Sequence, residues 1–130
     1  MNVVGFSHVT INVSDLDRSL DFYCNLLMMK LRHQGKADAY LEWGSAWICL
    51  IQRPGLNKKI EKGMGVDHVA FYINEDDFQE AVSVIERKGV TIVRGPIKRG
   101  KGWSINFLDP DGIELELHTS NLDERMEIWK

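Results

Sequence analysis

Two stretches of the chain alternate apolar and polar positions around a histidine. Phe6 to Val13 (FSHVTINV) sets Phe6, His8, Thr10 and Asn12 on one side and Val9, Ile11 and Val13 on the other. Successive side chains of an extended chain point to opposite faces, so this stretch is predicted as a half-buried strand. Val66 to Ile73 (VDHVAFYI) repeats the pattern around His68. A helical period follows each. Leu16, Leu20, Tyr23 and Leu27 recur at helix spacing behind Ser14 or Asp15 as cap, with Asp17 and Asp21 in the early turns. Asp76 to Lys88 carries Phe78, Ala81, Val82 and Ile85 on one face and stops at Gly89.

The intervening segments fill in the same way. Residues 28–36 read as a strand, and Ala39 to Glu42 with Ala46 to Ile51 read as a hairpin through Trp43-Gly44-Ser45. Arg53 to Gly65 holds Pro54, three glycines and several charges without an apolar period, which marks a linker. Val90 to Val93, Ser104 to Leu108 and Ile113 to His118 supply three further strands, and Asn121 to Lys130 a short terminal helix capped by Ser120 or Asn121. Aligning Gly5-Phe6-Ser7-His8-Val9 on Gly65-Val66-Asp67-His68-Val69 shows an offset of sixty residues. The chain is therefore an internal duplication of a βαβββ unit. The expected fold is α+β, two tandem βαβββ modules forming curved mixed sheets, with module 1 at about 1–53, a linker at about 54–64, module 2 at about 65–119 and a terminal helix at about 120–130. One helix covers one face of each sheet, so the opposite faces are expected to line a cleft completed in a homodimer.

The last strand gives that open face its chemistry. Ile113, Leu115 and Leu117 alternate with Glu114, Glu116 and His118 after the turn Asp109-Pro110-Asp111-Gly112. Unpaired carboxylates are costly inside a sheet protein, so the face is expected to meet solvent, a cation or a partner chain. His8, His68 and Glu116 make two imidazoles and one carboxylate, the ligand set of an open metal site. Applying the duplication to find a fourth ligand steps from Gly44 to Ile48, which offers none, unless a strand bulge brings Cys49 inward. Ligation by nitrogen and oxygen suits Mn²⁺, Fe²⁺, Zn²⁺ or Ni²⁺. A second, cationic signal is the run Arg94, Lys98, Arg99 and Lys101 among Gly95, Gly100 and Gly102, with Arg125 on the terminal helix. Such a run is either a solvated face or a loop that grips a phosphonate, phosphate or carboxylate.

Composition narrows the partners. Sixteen Lys and Arg against 19 Asp and Glu give a net charge of −3, so no global basic field argues for nucleic acid. No apolar run approaches the roughly 20 residues of a membrane helix, and the amino terminus does not read as a signal peptide. A cytoplasmic address is expected. Cys24 and Cys49 sit in apolar runs with no CxxC spacing, as buried thiols do in a reducing compartment.

The duplicated unit with His8, His68 and Glu116 resembles the vicinal oxygen chelate superfamily of glyoxalases, bleomycin-binding proteins, extradiol dioxygenases and fosfomycin-resistance enzymes. Ala39 through Leu50, Phe107-Leu108-Asp109-Pro110-Asp111-Gly112 and Glu116-Leu117-His118 through Arg125 are similar to the fosfomycin-resistance branch. The resemblance implies that His8, His68 and Glu116 bind a divalent metal, commonly Mn²⁺. It implies that Thr10, Ser104 and Arg125 contact a small oxyanionic substrate and that Trp47 and Tyr40 lie near the cleft; Arg94, from the cationic run rather than the resemblance, is a further substrate-binding candidate. The branch's tyrosine two residues after the matched serine is Asn106 here, and Val66 and Val69 stand where aromatic residues flank the second histidine. The basic loop Lys98 to Gly102 replaces an acidic, potassium-binding one. Asp38 is the nearest candidate for the carboxylate base of the branch that uses water; the alternative is a charged turn residue.

The expected activity is metal-dependent opening of a fosfomycin-type epoxide by water or a thiol. A glyoxalase-like lyase or isomerase, with Glu116 or a neighbour moving the proton, is the second enzyme reading. A non-catalytic dimer that sequesters a drug or metabolite is the reading of another class.

Overall fold

The computed structural model describes residues 1–57 and 62–128. The chain divides into two compact units, Met1–Lys58 and Lys59–Lys130. Part of the expected linker and the last two residues of the expected terminal helix lie outside the described residues.

Unit 1 runs β1 (Val9–Val13), α1 (Leu16–Leu20), β2 (Lys30–Gln34), β3 (Asp38–Trp43) and β4 (Ala46–Gln52). The sheet order is β1-β4-β3-β2, with β1 and β4 parallel and the other pairs antiparallel. Asp15 caps α1, its carboxylate accepting from the Arg18 N–H at 3.2 Å. The helix then widens into a π-helical stretch over Asp21–Leu26. Ser19 and Phe22 join Leu16, Tyr23 and Leu27 in the core, whereas Leu20, to which the 3.6 period also points, is only half-buried. Ile11, Val13, Ala39, Leu41, Ile48 and Leu50 form the sheet's side of that core. Gln52 ties sheet to helix, its side-chain oxygen accepting from the Leu16 N–H at 2.8 Å.

Unit 2 runs β5 (Val69–Tyr72), α2 (Glu75–Arg87), β6 (Ile92–Arg99), β7 (Gly102–Leu108), β8 (Glu114–His118) and α3 (Leu122–Ile128). Its order, β5-β8-β7-β6 with β5 and β8 parallel, repeats that of unit 1. Phe78, Val82 and Ile85 of α2 belong to the same buried core as Ile105, Phe107, Leu115 and Leu117. Two elements differ from expectation. The basic segment read as a loop is a strand, because β6 continues through irregular pairing and a cis Gly95-Pro96 bond to Arg99 before turning at Gly100. Both histidine strands begin later than their alternation suggests, so His8 and His68 each stand one residue before the first strand of their unit.

The β7–β8 turn is held by one carboxylate. Asp109 Oδ1 accepts from the N–H groups of Asp111 at 2.9 Å and Ile113 at 2.8 Å, and Gly112 takes the positive φ of 88° that the turn requires. No described helix is long and apolar enough to cross a membrane.

Candidate metal centre

Strand alternation decides which side chains reach the open face of unit 2. In β7, Ile105 and Phe107 belong to the apolar core, so Ser104 and Asn106 face the other way. In β8, Leu115 and Leu117 do the same and leave Glu114, Glu116 and His118 beside them. Cross-strand pairing then makes two rows. Ala70, Glu116, Asn106 and Arg94 form one, and Tyr72, His118, Ser104 and Ile97 the next.

The structure brings His68 and Glu116 together, with His68 Nε2 3.1 Å from Glu116 Oε1. The other ring nitrogen, Nδ1, lies 2.8 Å from Asp67 Oδ2. A carboxylate on Nδ1 fixes the tautomer and orients Nε2 towards a ligand, the usual support for a metal-binding imidazole. Asn106 Nδ2 donates to Glu114 Oε2 at 2.9 Å and to Glu116 Oε1 at 3.2 Å. Lys62 closes the circuit, with Nζ 2.9 Å from Glu114 Oε1 and 3.2 Å from Asp67 Oδ1.

Glu114 and Glu116 are both buried, so of the expected partners for this face, solvent, a cation or a partner chain, solvent is not the one that meets them within the unit. The compensation lies in Asn106 and Lys62, which supply the donors and positive charge that water would otherwise provide. Burial pushes the Glu114 carboxyl up, but its hydrogen bonds to Lys62 and Asn106 outweigh that and leave it below the ordinary carboxylate range. Asp67 is also lowered, first by its bond to His68 and then by Lys62. Asp67, His68 and Glu114 have ligand atoms within 4.8 Å of one another. The Lys62 ammonium already reaches both carboxylates of that group. His68 Nε2 with Glu116 is the pair left for an added cation.

The donor set fits a divalent ion of the harder or borderline kind, being imidazole nitrogen and carboxylate oxygen without thiolate. His118 adds a further buried nitrogen: Nδ1 has no hydrogen-bond partner among the described residues and stands 3.4 Å from Glu116 Oε2, while Nε2 is 2.8 Å from Ser120 Oγ. Burial holds the His118 imidazole below its usual range; the Glu116 charge opposes this, and Arg125 and Arg99 add to it. Ser104 Oγ and Arg125 Nε are likewise buried and unpartnered among the described residues. Arg125 lies across Gly100, where an added Cβ would come within 3.1 Å of Nε. Arg94 is exposed on the outer strand of its row.

Unit 1 presents a parallel face. His8 stacks on Trp47 with ring centroids 4.3 Å apart, and its Nδ1 is 2.9 Å from Ser7 Oγ. Tyr40 meets Trp47 edge-on at 5.8 Å. Thr10 shares a row with Cys49 and Tyr40. Asp38 does not join His8 and Trp47. It opens β3 opposite Ile51, whereas Trp47 is opposite Glu42 at the other end of the hairpin. The carboxylate in the Trp47 row is therefore Glu42, which is paired with Arg32 at 3.1 Å. Its alternation with Tyr40 in the sequence was the available signal.

The register also corrects the search for a fourth ligand. Thr10 pairs with Cys49 as Ala70 pairs with Glu116, so Cys49 rather than Ile48 is the counterpart of Glu116. No bulge is needed.

A family model described as the Glyoxalase/Bleomycin resistance protein/Dioxygenase superfamily matches residues 5–117. A protein named metallothiol transferase FosB from Staphylococcus epidermidis is 38% identical, over 100% of this chain and 92% of that protein. A glutathione transferase FosA from Serratia marcescens is 36% identical over 92% of this chain and 84% of its own length. The crystal structure of a fosfomycin resistance protein, FosX, from Listeria monocytogenes, complexed with Mn(II) and sulfate, matches with a TM-score of 0.82 at 27% identity. That match covers 99% of this chain and 100% of the FosX chain.

Proposed function

We propose, from the fact that this chain belongs to the glyoxalase, bleomycin resistance protein and dioxygenase superfamily, that it is a metal-dependent enzyme that inactivates fosfomycin or a close analogue by opening its epoxide. The observation that supports this reading is the approach of His68 Nε2 to Glu116 Oε1 at 3.1 Å on the sheet face that also carries Ser104, with the Arg125 side chain over Gly100 at the end of β6. Imidazole, carboxylate and two unpartnered donors are the parts needed for a chelated oxyanion.

His68 and Glu116, with His8, would hold a divalent cation. Mn²⁺ is the preferred identity, supported by the Mn(II) complex of the FosX relative. When bound, the cation supplies Lewis-acid stabilisation of the negative charge that develops on the epoxide oxygen. Asp67 holds the His68 ring with Nε2 forward, and Asn106 holds the Glu116 carboxylate in place. In this reading the Ser104 hydroxyl and the Arg125 guanidinium bind the phosphonate, and Thr10 and Trp47 are the substrate-binding candidates of unit 1. Water or a thiol then attacks an epoxide carbon and gives up its proton, the carbon–oxygen bond breaks, and the released oxygen takes up a proton, so that the ring opening is proton-neutral overall. Arg94 adds positive charge at the outer end of the Asn106 row. Asp38, far along the hairpin from Trp47, is the weakest member of this set. A homodimer is part of the same reading, since each unit carries a helix on one sheet face and leaves the polar face open.

The test is to incubate Mn²⁺-loaded protein with fosfomycin and either water, glutathione or another thiol, then follow the quenched substrate by phosphorus NMR. A new phosphonate resonance under one of these conditions is expected and identifies the nucleophile. An unchanged spectrum under all three removes fosfomycin as substrate.

A further inference from the structure

Asn106 uses only one end of its side chain. The Nδ2 group donates to Glu114 Oε2 and Glu116 Oε1, at 2.9 and 3.2 Å. This orientation is dictated by its neighbours. Turned over, the amide would set a carbonyl oxygen against two carboxylate oxygens with no proton between them. The carbonyl end, Oδ1, is then left with no hydrogen-bond partner among the described residues, on a side chain that is fully buried. A buried acceptor without a donor carries the whole cost of its lost hydration. The strand pairing places this acceptor in the row of Glu116, one row from Ser104 and His118.

The other unpartnered atoms differ in kind. Ser104 Oγ and Arg125 Nε can donate to an oxyanion. Asn106 Oδ1 can only accept. A ligand whose polar atoms all accept, such as an epoxide bearing a fully ionised phosphonate, satisfies the first two and leaves the third unmet. We propose that Asn106 is a specificity-determining residue that favours, among small epoxide-bearing oxyanions, one that also carries a hydroxyl donor over its unhydroxylated counterpart, with hydroxyalkyl and alkyl phosphonates as the non-reacting stand-ins that report the preference. This rests on the metal and oxyanion reading above and refines its substrate class.

The test compares (2-hydroxypropyl)phosphonate with propylphosphonate on Zn²⁺-loaded protein, by titration calorimetry, in the wild type and in Asn106→Leu. The hydroxylated ligand is expected to bind the wild type at least about tenfold more tightly, about 1.4 kcal/mol, with the gap falling to about twofold in the variant. Equal affinities in the wild type overturn the proposal. So does a tenfold gap that survives in Asn106→Leu, because the hydroxyl then finds its partner elsewhere. Should the variant fail to fold or to hold Zn²⁺, the wild type still decides through the Asn106 carbonyl carbon resonance. That resonance is expected to move downfield with the hydroxylated ligand alone, and an equal response to both ligands overturns the proposal. Binding of neither phosphonate to protein that carries stoichiometric Zn²⁺ removes the oxyanion reading itself, and this refinement with it.

Discussion

Cys49 occupies in unit 1 the position that Glu116 occupies in unit 2, one paired with Thr10 and the other with Ala70. A thiol thus replaces the carboxylate on the face that carries His8. Under the proposed ligand set of His8, His68 and Glu116, Cys49→Glu adds an oxygen donor to the His8 face, and the expected result is several-fold tighter Mn²⁺ binding with slower turnover, as a fourth protein ligand would take a position otherwise left to substrate. Calorimetry and a turnover assay on the same preparation check this, and an unchanged Mn²⁺ affinity would contradict it.

Glu116→Gln removes a proposed ligand, whereas Asp67→Ala removes only the support behind His68. Both are expected to weaken Mn²⁺ binding by at least about tenfold, measured as free Mn²⁺ by electron paramagnetic resonance. Asp67→Ala should retain full stoichiometry at saturating metal. Wild-type affinity in Asp67→Ala would show that the 2.8 Å contact to His68 Nδ1 does not orient the ring.

Arg125→Ala tests the proposed oxyanion-binding residues. A charge-assisted hydrogen bond contributes about 1.5–3 kcal/mol, so oxyanion affinity should fall roughly tenfold or more. Mn²⁺ affinity should be unchanged. Equal loss of metal and oxyanion binding would assign Arg125 to the metal centre instead.

Acid should unfold the metal-free protein partly through Glu114. Its carboxyl is lower in the folded chain than in the unfolded one, so its contribution is complete above the ordinary carboxylate pKa, about 4.3, and is lost as the pH falls through the lowered folded value. Lys62→Met removes the largest influence that opposes burial and leaves mainly the Asn106 hydrogen bond against it, so the Glu114 carboxyl rises from its lowered position. The acid midpoint followed by circular dichroism should therefore move to higher pH. Superimposable titrations of the two proteins would exclude the Lys62 contact as a source of stability.

Asp109→Ala deletes the acceptor of two turn N–H groups. A loss of about 1–3 kcal/mol is expected from denaturant unfolding. Asp109→Asn retains an oxygen acceptor and should recover most of it. Equal stability of Asp109→Ala and the wild type would mean that water satisfies the turn.

The duplication was legible because His8 and His68 share their flanking pattern, and the cores because apolar alternation specifies which face of each strand packs. Other features depend on what sequence periodicity does not carry. The π-helical stretch after Leu20 follows from tertiary packing of Phe22 and Tyr23 and leaves no mark on a 3.6-residue period. The strand β6 was hidden by its charges, which lie along an edge strand where solvent satisfies them. Lys62 could not be matched to Glu114 and Asp67 by spacing, since the contact is made by a long side chain from outside any strand. Asn106 stood out as a departure from the resembled pattern, but its hold on two carboxylates needed the β7–β8 register. Stepping from Gly44 to Ile48 failed for a local reason. Gly44 belongs to a two-residue connection, whereas five residues, Asp109 to Ile113, join β7 to β8.

That difference in turn length has a consequence for divergence of this chain. Between equivalent rows, Glu42 with Trp47 and Leu108 with Glu114, the second hairpin contains one residue more than the first, and Gly112 at φ 88° absorbs it. Strand sidedness has parity. A single insertion or deletion after Gly112 that left the β7 pairing untouched would exchange Glu116 for Leu115 or Leu117 on the ligand face. Length changes tolerated in this turn should therefore come in even numbers, or else be confined to the segment that Asp109 and Gly112 close upon themselves.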